Sequence, residues 1–194
     1  MNISAILLQI AVAVGVMQPA PGIVVRVETA LGNIDIAVDT VHAPITAANF
    51  LRYVDDNYYD DGQFHRATRP DNYVPQLPER PPMQIIQARI NPARRSFPPI
   101  PLERTTTTGL KHVSGTVSMA RGEGADSATS DFFICVDDEP SLDFGSKRYA
   151  DGQGFAAFGR VVKGMEVVRR IQHQPVKVQA LDPPITIVRI ARIQ

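Results

Sequence analysis

The residues able to do covalent or metal chemistry in this chain are few, and their spacing argues against both. Cys135 is the single cysteine, and inside the apolar run Phe132-Phe133-Ile134-Cys135-Val136 a thiol behaves as a small core residue. His42, His65, His112 and His173 show no ligand spacing, so no metal and no cofactor is expected. What the chain does offer is polar side chains set into apolar strands. Arg66 follows Phe64 and His65 in an extended run, and Gln84 and Gln87 interrupt the apolar stretch from Met83 to Ile90. A polar side chain inside a strand needs a reason. The stretch from Gly115 to Val136, GTVSMARGEGADSATSDFFICV, supplies a setting. Two apolar runs, Thr116 to Ala120 and Phe132 to Val136, enclose a loop rich in glycine, serine and acidic residues. Antiparallel neighbours lie about 5 Å apart. The runs would therefore bring Met119, Ala120, Arg121 and Phe133 to one rim of a sheet, around a shallow apolar pocket. By itself an arginine in such a setting is a solvated or salt-bridged residue.

The elements that must position these residues are mostly strands. The runs Ile23 to Glu28 and Asn33 to Val38 alternate about Ala30-Leu31-Gly32 and predict a β-hairpin. Pro44 opens a helix with Ala47, Phe50, Leu51 and Val54 on one face, ending at Asp55-Asp56-Asn57, where two acids oppose the helix dipole. Tyr58 and Tyr59 lead into the strand of Phe64-His65-Arg66. A proline-rich loop containing Pro70, Pro75, Pro78, Pro81 and Pro82 follows, then the strand from Met83 to Ile90. Residues 91–108 predict an irregular connection with a short extended piece at Ile100 and Leu102. After the central stretch come a loop from Ser141 to Gly154, a strand from Phe155 to Val162, and a second helix from Gly164 to Ile171. Pro183-Pro184 opens a last strand, Ile185 to Ile190. Neither helix works as a repeated crossover between strands. The pattern predicts a mainly β fold, an antiparallel barrel closed at each end by a helix.

Sixteen prolines and thirteen glycines suit such a turn-rich fold, and 194 residues suit one domain with a proper core. Twenty basic and twenty acidic residues cancel. No bulk charge draws the protein to nucleic acid or to anionic membranes.

The central stretch resembles the cyclophilin family of peptidyl-prolyl cis-trans isomerases, whose bacterial members carry a similar series to Ser118-Met119-Ala120-Arg121, Ser127-Ala128-Thr129-Ser130 and Phe132-Phe133-Ile134. The resemblance covers about Ile23 to Ile193 and also rests on Phe64-His65-Arg66, Leu142-Asp143, and Phe155 to Gly159 running into Val162-Lys163-Gly164-Met165. It implies a closed eight-stranded antiparallel barrel capped by two helices and an isomerase acting on X-Pro bonds in unfolded or flexible chains, without cofactor and as a monomer. It carries the catalytic arginine onto Arg66 and the pocket glutamine onto Gln87. Apolar floor residues fall on Ile85, Phe133 and Leu142, and further pocket positions on Ala120, Arg121, Asp131 and Phe155. His65 is assigned a structural role, because rotation about a bond needs no proton transfer. Arg121 and Asp131 have two readings: contacts to substrate, or a surface ion pair.

This chain departs from the family in its Gln84-Ile85-Ile86-Gln87-Ala88-Arg89 segment, where an aromatic wall and a glycine pair are replaced. Ser141 also stands where the family has a tryptophan, Asp131 where it has a glutamine, and Phe155 where it has a histidine. The departures keep a second function class open: a proline-binding module or holdase with little turnover.

Residues 1–22 stand apart as an N-terminal apolar segment, with 23–194 forming the domain. From Ala5 to Met17 only Gln9 is polar, a length that suits the core of a secretory signal and falls short of a spanning helix. The expectation is a periplasmic or secreted protein with no stable membrane insertion once the signal is removed. An uncut anchor, or a cytoplasmic protein with no signal function, is the alternative.

Overall fold

The structure, a computed structural model, describes residues 22–72, 82–146 and 148–193. Its strands are β1 (Ile23–Thr29), β2 (Gly32–Val38), β3 (Gly62–Thr68), β4 (Ile85–Arg89), β5 (Thr116–Met119), β6 (Phe132–Cys135), β7 (Ala156–Lys163), β8 (Val176–Lys177) and β9 (Ala180–Ile193). Its helices are α1 (Pro44–Asp55), α2 (Thr105–Thr108) and α3 (Met165–Gln172). The strands hydrogen-bond in the order β1-β2-β7-β5-β6-β4-β3-β9, and β9 pairs back with β1. This closes an eight-stranded antiparallel barrel, which leaves no long open edge. Among the described residues, the two-residue β8 pairs only with the start of β9.

Alternation sorts the side chains. On β4 and β6, Ile86, Ala88, Phe132 and Ile134 join the barrel core, whereas Ile85, Phe133 and Cys135 belong to a separate apolar cluster. Phe50 of α1 reaches into the core, with its ring 5.0–5.6 Å from those of Phe158, Phe132 and Tyr59. Helix α3 buries Val167, Val168 and Ile171 against the same core. It starts at Gly164, whose φ is +95° and where a Cβ would lie 2.3 Å from the Asn33 carbonyl oxygen. Any other residue would push β2 away from the helix.

The start of α1 is stabilised from a distance. Ala43 supplies no side-chain cap. The carboxylate of Glu103 instead accepts from the backbone N–H of Ile45 at 3.1 Å and of Thr46 at 2.7 Å, and from the Thr46 hydroxyl at 2.6 Å. A carboxylate on the first-turn donors also complements the positive end of the helix dipole.

Two expectations need correction. The four threonines form the short helix α2 rather than irregular chain, because Gly109 in the left-handed region closes the turn onto the Thr105 carbonyl. The last strand begins at Ala180, five residues before Ile185. Pro183 and Pro184 are tolerated because the β3 ladder jumps from Phe64↔Ile185 to Arg66↔Ala180, so they occupy a bulge where no N–H is required.

Candidate active site

The site is built on the outer face of β3, β4 and β6. That face is polar at Arg66 and Gln87 and apolar at Ile85 and Phe133, and the two halves meet because Gln87 is paired with both Arg66 and Phe133 across the ladders. A β-bulge makes this possible. The β3–β4 register shifts between Phe64 and Arg66, which inserts His65 as an extra residue. Phe64 points into the core while both His65 and Arg66 lie on the half-buried outer side. Bulges of this kind re-aim side chains next to functional sites.

Arg66 is held by hydrogen bonds on two sides. Its Nη1 donates to Gln87 Oε1 at 3.3 Å, while Nη2 and Nε donate to Gln179 Oε1 at 2.6 and 3.1 Å. These engage three of the five N–H groups of a guanidinium. Burial, and then the charge of Arg148, lower its pKa from the ordinary arginine value, yet an arginine stays charged throughout the physiological range. Gln87 also hydrogen-bonds the carboxylate of Asp131, whose pKa is raised above the usual range chiefly by burial.

Beside the guanidinium lies the second apolar cluster. Met83, Ile85, Phe133, Cys135, Leu142 and Phe155 are buried together, with Ala120 and Tyr149 packed on them. Phe133 meets Phe155 edge-on at 5.5 Å, and Phe155 lies 5.4 Å from Tyr149. Behind Phe133, the ring of His112 stacks nearly parallel at 6.0 Å. His112 is itself fixed by Asp143 Oδ1 at 2.7 Å and Ser118 Oγ at 2.9 Å. This Ser-His-Asp set is a support rather than a nucleophile, because Ser118 and His112 are both fully buried.

Seven expected positions are thus brought together with Arg66 on this side of the barrel: Gln87 bonds Arg66, Asp131 bonds Gln87, and Ile85, Ala120, Phe133, Leu142 and Phe155 share the apolar cluster whose Phe133 pairs with Gln87. Two residues read at the same rim behave differently. Met119 faces the barrel core, because the strand alternation sends it to the opposite side from Phe133. Arg121 is only 8% exposed, and its ion pair is with Asp151 at 2.8 Å rather than with Asp131. Its Nε donates to the Gly154 carbonyl at 2.8 Å, and its guanidinium lies 4.4 Å from the Tyr149 ring and 5.3 Å from that of Phe155. Arg121 thus ties the 149–155 loop to the wall of the site. Gly154 completes the loop at φ +69°, where a Cβ would collide with the backbone of Leu142, Asp143 and Phe144 at 2.7–2.8 Å.

Tyr149 and Gln179 stand at the site without being among the positions expected from the sequence. Tyr149 is a lone aromatic in the polar run between Ser146 and Gly154, which is a usable signal. Gln179 offers none, since only the fold brings it 113 residues back to Arg66.

His65 carries a pH-dependent cost. Its Nδ1 is buried with no hydrogen-bond partner among the described residues, and burial, followed by the charge of Arg89, lowers its pKa from 6.5 to about 4. The ring is neutral near pH 7. The unfolded chain takes up this proton below about pH 6.5 and the folded chain only below about 4, so stability falls as the pH falls through that window. Denaturant titrations at pH 7 and pH 4.5 should show wild type losing on the order of 1–2 kcal/mol more than His65→Gln, allowing for solvent screening of a half-buried group. Equal losses in the two proteins would refute this assignment.

The family described as "Cyclophilin type peptidyl-prolyl cis-trans isomerase/CLD" matches residues 24–194. Peptidyl-prolyl cis-trans isomerase A of Dickeya dadantii is 39% identical over 147 residues, covering 76% of this chain and 70% of the relative. A peptidyl-prolyl cis-trans isomerase of Acinetobacter baylyi is 37% identical over 154 residues, covering 78% and 72%. Among solved structures, a cyclophilin-type isomerase of Cryptosporidium parvum, determined in the presence of the dipeptide Ala-Pro, superposes with a TM-score of 0.67 at 21% identity, covering 88% of this chain and 99% of that one.

Proposed function

The chain belongs to the cyclophilin-type peptidyl-prolyl cis-trans isomerases, and from that premise we propose that Arg66 is its catalytic residue, acting beside a prolyl pocket made by Ile85, Ala120, Phe133, Leu142 and Phe155. The reaction is rotation about the X-Pro peptide bond, and the role is assistance to protein folding. The observation that carries the residue assignment is the guanidinium fixed by two glutamines at the edge of an outward-facing apolar cluster.

The physical task is to weaken amide resonance. The planar bond resists rotation by about 18–20 kcal/mol because nitrogen shares its lone pair with the carbonyl. In the twisted state that pair is localised on a pyramidal nitrogen and can accept a hydrogen bond. A guanidinium N–H aimed at it stabilises the twisted state over both planar ones. Arg66 retains N–H groups for this after its bonds to Gln87 and Gln179. The apolar cluster holds the pyrrolidine ring and keeps water away, which strengthens the bond. About 7 kcal/mol of such differential stabilisation corresponds to roughly 10⁵-fold acceleration. Gln87 and Asp131 flank the arginine as acceptors for the backbone N–H groups of an extended substrate. Arg121 supports Phe155 and Tyr149 from behind.

The substrates we assign are proline-containing segments of unfolded or flexible proteins. A refolding reaction limited by proline isomerisation, which takes tens of seconds or more unaided, tests this. Substoichiometric protein should speed the slow phase about tenfold or more, and a slow phase that stays unchanged would leave only a proline-binding module.

We also infer export, which the apolar run from Ala5 to Met17 supports; residues 1–21 lie outside the described residues. Mass spectrometry of the protein from its native host should find an N-terminus near residue 21 in the periplasmic or secreted fraction. An intact N-terminus in the cytosolic fraction would contradict export.

A further inference from the structure

The tighter grip on Arg66 comes from the residue with no sequence signal. Gln87 accepts one bond at 3.3 Å, whereas Gln179 Oε1 accepts two, at 2.6 and 3.1 Å. Gln179 lies in the turn between β8 and β9, where the ladder closes at Lys177↔Ala180 and leaves Val178-Gln179 as a two-residue loop. We propose that Gln179 is a positioning residue for the reaction, fixing the plane and direction of the Arg66 guanidinium and so the aim of the N–H groups left for the substrate. This rests on Arg66 being the catalytic residue.

Three features of the turn fit that role. First, the amide has only one sensible orientation. Gln179 Nε2 donates to the Asn72 carbonyl at 3.4 Å, so Oε1 faces the guanidinium; the flipped amide would oppose donors to donors. Second, the turn is tied to β3 beside Arg66. The Gln179 carbonyl accepts from the Ala67 N–H at 2.9 Å, and Ala180 pairs with Arg66 itself. Third, Val178 has φ +61°, in a position of a two-residue hairpin turn where glycine is usual. A β-branched residue there persists only where surrounding contacts over-determine the backbone, and such strain gathers at functional sites.

The geometry explains why Gln87 alone is insufficient. One bond to Nη1 lets the guanidinium pivot about that contact. A single acceptor shared by Nε and Nη2 fixes the plane, and the two glutamines together clamp it from opposite sides. Orientation matters more in the twisted state than in the bound planar peptide, where the apolar cluster supplies most of the hold. Loss of the clamp should therefore appear in kcat before KM.

The test is steady-state kinetics on an X-Pro peptide with Gln179→Leu, which removes the acceptor while keeping bulk, in wild-type and Arg66→Ala backgrounds. Gln179→Met serves the same comparison should the leucine variant not fold. The expected result is a fall in kcat of about tenfold with KM within about twofold in the wild-type background, since small misplacements of a catalytic group can cost up to about 10²-fold. In the Arg66→Ala background the same substitution should change kcat less than about twofold, because it has no guanidinium left to orient. Gln179→Glu, which restores an acceptor of the same length, should recover most of the loss. An unchanged kcat in Gln179→Leu, or an equal loss in both backgrounds, would overturn the positioning role while the effect of Arg66→Ala still stood. If Arg66→Ala itself left kcat unchanged, the catalytic assignment would fail and this inference with it.

Discussion

Replacing Arg66 by alanine should lower turnover on an X-Pro peptide by about 10²–10³-fold while peptide affinity changes by no more than a few-fold. The magnitude is that of removing one preorganised donor aimed at charge that develops only in the transition state. The split between rate and affinity follows because only interactions stronger in the transition state accelerate the step. In the proposed pocket, affinity should be set instead by Ile85, Phe133, Leu142 and Phe155, which would contact the ring in planar and twisted states alike. Arg66→Lys should recover little. An ammonium presents a point charge without the planar fork, and it cannot bond Gln87 on one side and accept the two-pronged hold of Gln179 on the other. Peptide titration and exchange rates on the three proteins check this. A turnover loss matched by an equal affinity loss would make Arg66 a binding residue only.

Phe133→Ala should produce the opposite split. The ring is 3% exposed and sits between the edge of Phe155 at 5.5 Å and the stacked His112 at 6.0 Å. Removing it takes away the apolar floor and leaves a cavity that Ile85 and Leu142 cannot fill without moving. Phe-to-Ala changes in well-packed sites cost about 3–5 kcal/mol, and part of this loss should appear as a lower unfolding midpoint in urea. Peptide affinity should fall at least tenfold, with a smaller effect on turnover at saturating peptide. The His112–Ser118–Asp143 set should keep the neighbouring wall in place, since its bonds do not involve Phe133. Unchanged peptide affinity in a folded Phe133→Ala protein would move the pocket elsewhere.

Much of this architecture could be read in the chain because it rests on local periodicity. The β1–β2 hairpin, α1 with its Pro44 start, the paired strands β5 and β6, and α3 all follow from alternation or from 3.6-residue spacing. The candidate site was legible through the family resemblance, which points to Arg66, Ile85, Gln87 and Phe133; local pattern alone marks Gln87 as a polar residue set in an apolar strand and Phe133 as a residue at the rim of a sheet. Three features break local rules and were not legible. The bulge at His65 puts two consecutive residues on one face, and nothing in Phe64-His65-Arg66 announces the extra residue. Arg121 reads as a substrate contact or as half of a surface ion pair with Asp131; its burial depends instead on Asp151 and on the rings of Tyr149 and Phe155. Gln179 comes from a strained turn whose register is fixed by β3, not by its own sequence. The prolines at Pro183 and Pro184 misled for a related reason, since a strand can continue through them only when a bulge removes the need for their N–H groups.

The central claim, that this outer-face site rotates X-Pro bonds through Arg66, is tested most directly by exchange NMR of a short proline-containing peptide in the presence of a substoichiometric amount of the protein. The expected result is cis–trans exchange cross-peaks with wild type, on a timescale where the free peptide shows none, and their disappearance with Arg66→Ala at the same concentration. Cross-peaks absent with wild type, or equally strong with folded Arg66→Ala, would contradict it.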